Sequence, residues 1–314
     1  MNFINGFVVK VLTCSAFVAA VVAVLPKYAF PPDPESVWIS NLFTAKEKAY
    51  KEGLGPQVLF IAGSSGLLGF DSQLFAKLTG RHTVNFGVHA GLGIPYILSR
   101  AEKLLKPGDT AILAFEYELF SDGPNISRHR FVSFFDRPYI YTTSFADWSG
   151  FLWGYGFIDF AYVSFRKLAP MNMGHGYSFN LTYSGDFVDN TVETSKSDYA
   201  NEWDRFSPGK LNSVTFDFIM EFRKRCKEKN INVLVSYPPI FRQEEYTRKA
   251  EFKDYFYSLD KALLSVSDGL LGTFKNAQFQ SSEMYDARYH LNSVGRERFT
   301  SQLANYFNGH MGDK

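Results

Sequence analysis

The sequence has almost no cysteine. Cys14 lies in an apolar N-terminal segment and Cys226 in a charged stretch, and no others exist. Such a pair argues against an internal disulfide, and no CxxC or Cys/His cluster points to zinc. Histidine is also scarce: positions 82, 89, 129, 175, 290 and 310, none paired at ligand spacing on an apparent helix. Neither sign of charge dominates, with Lys+Arg 33 against Asp+Glu 32 and a net charge of +1. That balance excludes a strongly basic nucleic-acid binder and an acidic solvating tail. With 46% hydrophobic and 21% charged residues, the chain is not of disordered composition. What it has in excess is aromatics: 17% of 314 residues, with 32 Phe, 18 Tyr and 4 Trp. Such residues gather in cores, interfaces and membrane belts, and composition does not choose among these. The length suits one large domain or two small ones.

Phe3 to Leu25 is nearly all apolar, with Lys10 two turns in. A bilayer span needs about 20 residues, which this stretch reaches if the Lys10 amine snorkels. Three readings compete. A secretory signal peptide would cleave after Val21-Val22-Ala23. A buried core helix would place the segment inside the fold. An uncleaved anchor is the expectation taken forward, because no strong A-x-A site follows and Pro26-Lys27-Tyr28 resembles an interface exit. It puts the remainder outside the cytoplasm, periplasmic or extracellular. Residues 1–30 are then the anchor and 31–54 a juxtamembrane linker, opening on the stiff Pro31-Pro32-Asp33-Pro34. Glu35 to Gly53 is expected as a charged helix near the membrane.

From Gly55 onward strands and helices alternate. Gln57–Ala62, Thr83–Gly87, Thr110–Phe115 and Ile231–Tyr237 read as buried strands, with a weaker fifth within Leu270–Phe279. Asp71–Leu78, Ile94–Leu105, Leu211–Lys229, Phe241–Val266 and Arg296–Phe307 read as helices. This order predicts a mostly parallel five-stranded sheet covered on both faces, with sites beyond the carboxyl ends of its strands.

Three loops at strand ends carry chemistry. Gly63-Ser64-Ser65-Gly66-Leu67-Leu68-Gly69 fits two mechanisms. One is a nucleotide-binding turn with Gly63, Gly66 and Gly69 spaced as in short-chain dehydrogenases. The other is a nucleophile loop presenting Ser65. The second loop favours the nucleophile. A dinucleotide site wants an acid closing the second strand, whereas Val84-Asn85-Phe86-Gly87-Val88-His89-Ala90-Gly91 has none. It offers a glycine turn whose N–H groups can face developing negative charge. Tyr257 and Lys261 have dehydrogenase spacing, yet 18 Tyr and 19 Lys in 314 residues yield about one such pair by chance. The third loop, Tyr285-Asp286-Ala287-Arg288-Tyr289-His290-Leu291-Asn292, places a carboxylate ahead of a histidine that it can orient.

Together these blocks resemble the SGNH hydrolase superfamily, over roughly 56–120 and 210–308. Gly63-Ser64-Ser65 matches its Gly-x-Ser block, Gly87 its oxyanion glycine, and Asp286 with His290 its last block in kind. Pro238-Pro239 after the fourth strand resembles the membrane-anchored members, which include the D-alanyl transfer protein of teichoic-acid modification and the alginate O-acetylation proteins. The resemblance implies a three-layer α/β/α fold, flavodoxin-like in its sheet, and a serine esterase or acyltransferase. Its nucleophile would be Ser65, its base His290 and its orienter Asp286. The N–H groups of Ser65 and Gly87 would form the oxyanion site. It implies no cofactor and no metal. Implied partners are a membrane, a polysaccharide or lipid acyl acceptor of the cell envelope and a membrane-bound acyltransferase; the competing reading is a non-catalytic member that binds one of them.

The chain departs from that pattern twice. The last block is Asp-x-x-x-His, one residue long, which leaves Glu283 as a second candidate orienter. The block Gly-x-Asn-Asp is absent: the third strand is followed by Phe115-Glu116-Tyr117-Glu118, with Glu116 read as closing a buried network. The missing asparagine donor falls to Asn85 or Asn125. Residues 121–209 form an insertion within the 55–310 domain. Of these, 131–165 hold 14 aromatics in 35 residues, read as a packed cap, a sugar-stacking groove or a membrane-leaning surface. Met171 to Trp203 reads as a long loop or lid.

Overall fold

A computed structural model describes residues 8–17, 32–121, 126–140, 180–192 and 206–312. Its backbone divides into two compact units, Met1–Ser40 with Pro124–Tyr177 and Asn41–Gly123 with Ser178–Lys314. In the first unit the described elements are α1 (8–17), the opening turns of α2 (Pro34–Glu52), α6 (Ile126–Phe135) and α7 (Arg137–Ile140). Phe131 stacks on Phe135 within α6, with ring centroids 5.4 Å apart.

The expected N-terminal anchor is corrected here. Among the described residues no helix is long and apolar enough to cross a membrane. α1 covers only 8–17, about half of what a bilayer requires. The rest of the apolar stretch lies outside the described residues. The single-pass membrane localisation inferred from it falls with it.

The second unit carries the α/β fold. Five strands, β1 (Val58–Ala62), β2 (Thr83–Gly87), β3 (Thr110–Ala114), β4 (Asn232–Ser236) and β6 (Gly269–Leu271), form one parallel sheet ordered β2-β1-β3-β4-β6. A ribbon of β5 (Ile240–Phe241) and β7 (Gln278–Phe279) stands apart. The stretch read as one weak strand is thus two, divided between two sheets. Every residue of β1, β2 and β3 is buried, as strands covered on both faces require. The helices are α3 (Ser64–Gly69), α4 (Ser72–Thr79), α5 (Ile94–Glu102), α8 (Ser213–Glu228), α9 (Glu245–Arg248), α10 (Ala250–Ser265) and α11 (Ser293–Gly312). They cover the sheet as the outer layers of a three-layer α/β/α fold.

Alternation along β1 sends Val58, Phe60 and Ala62 to one face. There they join Phe70, Phe75, Phe279, Phe299, Leu303 and Phe307 in the main core cluster. Phe60 and Phe70 stack at 4.0 Å. A second aromatic cluster holds Tyr117, Phe206, Tyr246, Tyr255, Phe256 and Phe274, with Phe256 stacked on Phe274 at 3.5 Å. Much of the aromatic excess is therefore core. The 131–165 segment to which the sequence pointed lies mostly outside the described residues.

The linker reading of 31–54 also changes. From Asn41 onward α2 belongs to the sheet unit. Leu42, Phe43, Lys46, Ala49 and Tyr50 are buried, at the spacing of one helical face. Lys46, one of the charges of the helix expected near the membrane, is fully buried. It donates to the carbonyls of Asn85 at 2.8 Å and Gly185 at 2.5 Å. Burial lowers its amine to about 7, and Asp186 partly opposes that. The stretch 171–203, read as a long loop or lid, is described over 180–192, where it is loop. Residues 180–192 are pinned into the fold, Asp186 holding Ser72 N–H and Oγ at 3.0 and 2.7 Å.

Candidate functional site

The chain leaves β1 and crosses to β2, then returns to the other side of β1 as β3. That reversal falls at the carboxyl ends of β1 and β3, the place where such sheets hold their sites. Three segments meet there: α3 after β1, residues 115–118 after β3, and the loop before α11.

Gly63 leads from β1 into α3, so the segment read as a loop is a short helix. Ser64 opens it and is half-buried, whereas Ser65 is buried. This orientation decides which hydroxyl meets the histidine. His290 Nε2 lies 2.9 Å from Ser64 Oγ. Ser65 Oγ instead reaches the carbonyl of Ala114 at 3.5 Å. The structure thus brings Ser64, not the expected Ser65, to His290. Nothing in Gly-Ser-Ser distinguishes the two; the packing of Ser65 against β3 does.

Asp286 and His290 come together as expected, with Asp286 Oδ1 2.7 Å from His290 Nδ1. A carboxylate facing Nδ1 fixes the proton there and leaves the Nε2 lone pair for the serine hydroxyl. The extra residue between Asp and His is absorbed by a tight loop. Met284 and Leu291 form an antiparallel bridge, Tyr285 N–H donates to His290 O at 2.8 Å, and His290 N–H donates to Ala287 O at 3.1 Å. Asn292 ties this loop to α11. Its Nδ2 donates to Ser282 O and Met284 O at 2.9 and 3.0 Å, and its Oδ1 accepts from Val294 and Gly295 N–H at 3.1 and 3.2 Å. Glu283, the alternative orienter, is engaged elsewhere, in an ion pair of 2.7 Å with Arg298.

The two oxyanion candidates of the second loop are spent inside the fold. Gly87 N–H donates to Asn85 Oδ1 at 2.8 Å. Asn85 Nδ2 holds the carbonyls of Gly66 at 2.9 Å and Phe70 at 3.2 Å. Glycine at 87 has a steric cause, since a Cβ there would sit 2.2 Å from Leu67 N. Asn85 and Gly87 therefore seat α3 on the sheet. Asn125 lies outside the described residues.

Two residues that sequence reasoning left without a site role, and one it did not single out, complete the arrangement. Glu116 Oε1 accepts from Ser65 N–H at 2.7 Å and lies 3.4 Å from Ser64 Oγ. Burial raises its carboxyl, and the Ser65 hydrogen bond partly offsets this. Glu118 accepts from Tyr289 Oη at 2.6 Å and pairs with Arg288 at 2.5 Å, bracing the histidine loop. The alternation of two acids after β3 was the available signal. Asn190 Nδ2 donates to Leu68 O and Leu291 O, both at 2.6 Å. It joins the serine and histidine segments from a stretch read as a long loop or lid, and no motif marked it.

No protein-family model matches the chain, and no curated protein matches it. A solved structure from Streptococcus pneumonia, provisionally described as a platelet activating factor, is similar at 11% identity with a TM-score of 0.44. The match covers 85% of this chain and 91% of that one.

Proposed function

We propose that the protein is a serine esterase or acyltransferase of SGNH type, working through Ser64, His290 and Asp286. The observation that carries this reading is the chain of short contacts, Asp286 to His290 at 2.7 Å and His290 to Ser64 at 2.9 Å. Both are within the reach that general-base activation of a serine requires. In this reading Ser64 Oγ attacks the ester carbonyl carbon while its proton passes to His290 Nε2. The tetrahedral intermediate collapses by breaking the bond to the leaving alkoxide, which takes that proton. Water or an acceptor hydroxyl, deprotonated by His290, then attacks the acyl-serine and frees Ser64. Asp286 holds the ring and stabilises its charged form throughout. The envelope setting rested on the N-terminal anchor, so the reading stops at ester chemistry.

One observation favours the second reading, a binding protein without catalysis: the N–H groups of Ser65 and Gly87 both donate within the fold. A fluorophosphonate probe separates the two. The catalytic reading expects labelling of the native chain and of Ser65→Ala, with none of Ser64→Ala or His290→Ala. Absence of labelling in the native chain, or equal labelling of Ser64→Ala, overturns it.

A further inference from the structure

Glu116 is 3% exposed. Its Oε1 is occupied by Ser65 N–H. Its Oε2 is buried and has no hydrogen-bond partner among the described residues. That atom lies over Gly63, 2.2 Å from where a Cβ would stand, and Gly63 is the residue before Ser64. The carboxyl is therefore held against Gly63, in space that only glycine leaves open, with Oε1 3.4 Å from the Ser64 hydroxyl that meets His290 and Oε2 without a hydrogen-bond partner among the described residues.

Two physical arguments favour the neutral acid. As a carboxylate, Glu116 would be a buried charge with one oxygen uncompensated, a costly state. As the neutral acid it carries its proton on Oε2, because Oε1 already accepts a hydrogen bond. An O–H donor without an acceptor is in turn an unmade hydrogen bond, which an oxygen brought in from outside would complete. Burial, which raises the carboxyl, acts in the same direction.

We propose that Glu116, as the neutral acid, is a catalytic residue whose Oε2–H donates a hydrogen bond to the acyl oxygen of an ester bound against Ser64. No proton is transferred. As negative charge develops on that oxygen in the tetrahedral intermediate, the hydrogen bond strengthens, which is the condition for catalysis rather than mere binding. A neutral carboxylic acid can fill this role where an apolar site keeps it protonated. The proposal rests on the esterase reading above. It supplies the oxyanion donor that Asn85 and Gly87 do not.

The test compares Glu116→Gln and Glu116→Met in the full chain, with p-nitrophenyl acetate as substrate and thermal unfolding as the check on folding. Glutamine presents an N–H donor in place of Oε2–H and keeps the acceptor for Ser65. It is expected to hold kcat within about tenfold of native. Methionine keeps the length and offers no donor. It is expected to lose about 10²–10³-fold in kcat, the range for removing one oxyanion donor. Native-like kcat in folded Glu116→Met overturns the proposal. So does a loss of 10²-fold or more in folded Glu116→Gln, which would mean that the negative charge is what matters. Glu116→Gln decides alone if the methionine variant does not fold. If the native chain neither takes the fluorophosphonate nor hydrolyses the ester, the esterase reading fails, and this proposal fails with it. If the native chain does both and Glu116→Met matches it, this proposal fails alone.

Discussion

The serine segment and the histidine loop come from opposite ends of the α/β unit and are held by different means. α3 is seated by close approach: its backbone lies on Gly87 with no room for a methyl group, and Asn85 bonds its Gly66 carbonyl and that of Phe70, which follows it. The loop carrying Asp286 and His290 is held by side-chain hydrogen bonds, from Asn292 behind it and Glu118 beside it. A segment held by packing tolerates no added atom. A loop held by hydrogen bonds is vulnerable to each lost partner. Asn190 spans both, bonding Leu68 on one side and Leu291 on the other.

The largest expected effect is on the packed side. Gly87→Ala puts a Cβ 2.2 Å from Leu67 N, against backbone that cannot swing aside. Overpacking of this kind costs about 3 kcal/mol or more, about 6 °C or more in Tm for a domain of this size. On the proposed esterase reading, hydrolysis of p-nitrophenyl acetate should fall with it, because α3 carries Ser64. A melting temperature within a degree or two of native would show that the seat is looser than described. On the bonded side, Asn292→Ala removes a helix cap and two donors to loop carbonyls. The expected loss is about 2–3 kcal/mol, and on the proposed esterase reading hydrolysis falls too because Asp286 and His290 lose their footing. An Asn292→Ala chain as stable as native would mean that the loop holds itself.

The same difference governs what could be read from sequence. Asp286 and His290 were legible because one loop supplies both, and a carboxylate ahead of a histidine has a specific chemical use. The serine was legible only to within one position. Which of Ser64 and Ser65 meets His290 depends on how α3 starts and on the packing of Ser65 against Ala114, and no local residue pattern encodes either. The strands were legible because burial on both faces makes them continuous apolar runs. α2 was read as a charged helix near the membrane, and its place in the fold was missed because the two carbonyls that bond Lys46 are distant in sequence. Asn190 was illegible for the same reason, since its partners lie more than a hundred residues away in sequence.

The smallest expected effect tests that lysine, which supports the packed side through the carbonyl of Asn85. Unfolded, Lys46 titrates near its ordinary 10.5; folded, burial lowers it to about 7. Between those values the unfolded chain holds the extra proton, so stability rises with pH across the interval. Asp186, whose carboxyl burial raises, works in the opposite direction. Cys226, pushed up to about 12 by burial, lowers stability once pH passes its ordinary 9. The window from about pH 7 to 8.5 is therefore the clean one. Lys46→Met removes the titrating amine and leaves Asp186 its bonds to Ser72 and Thr182. Subtracting the denaturant-unfolding free energies of the two chains cancels the groups they share. The native chain should gain about 1.5 kcal/mol relative to Lys46→Met over that window. Parallel curves would mean that Lys46 keeps its proton in the fold, held by two carbonyls and Asp186. The serine side would then rest on a buried charge rather than on a neutral amine.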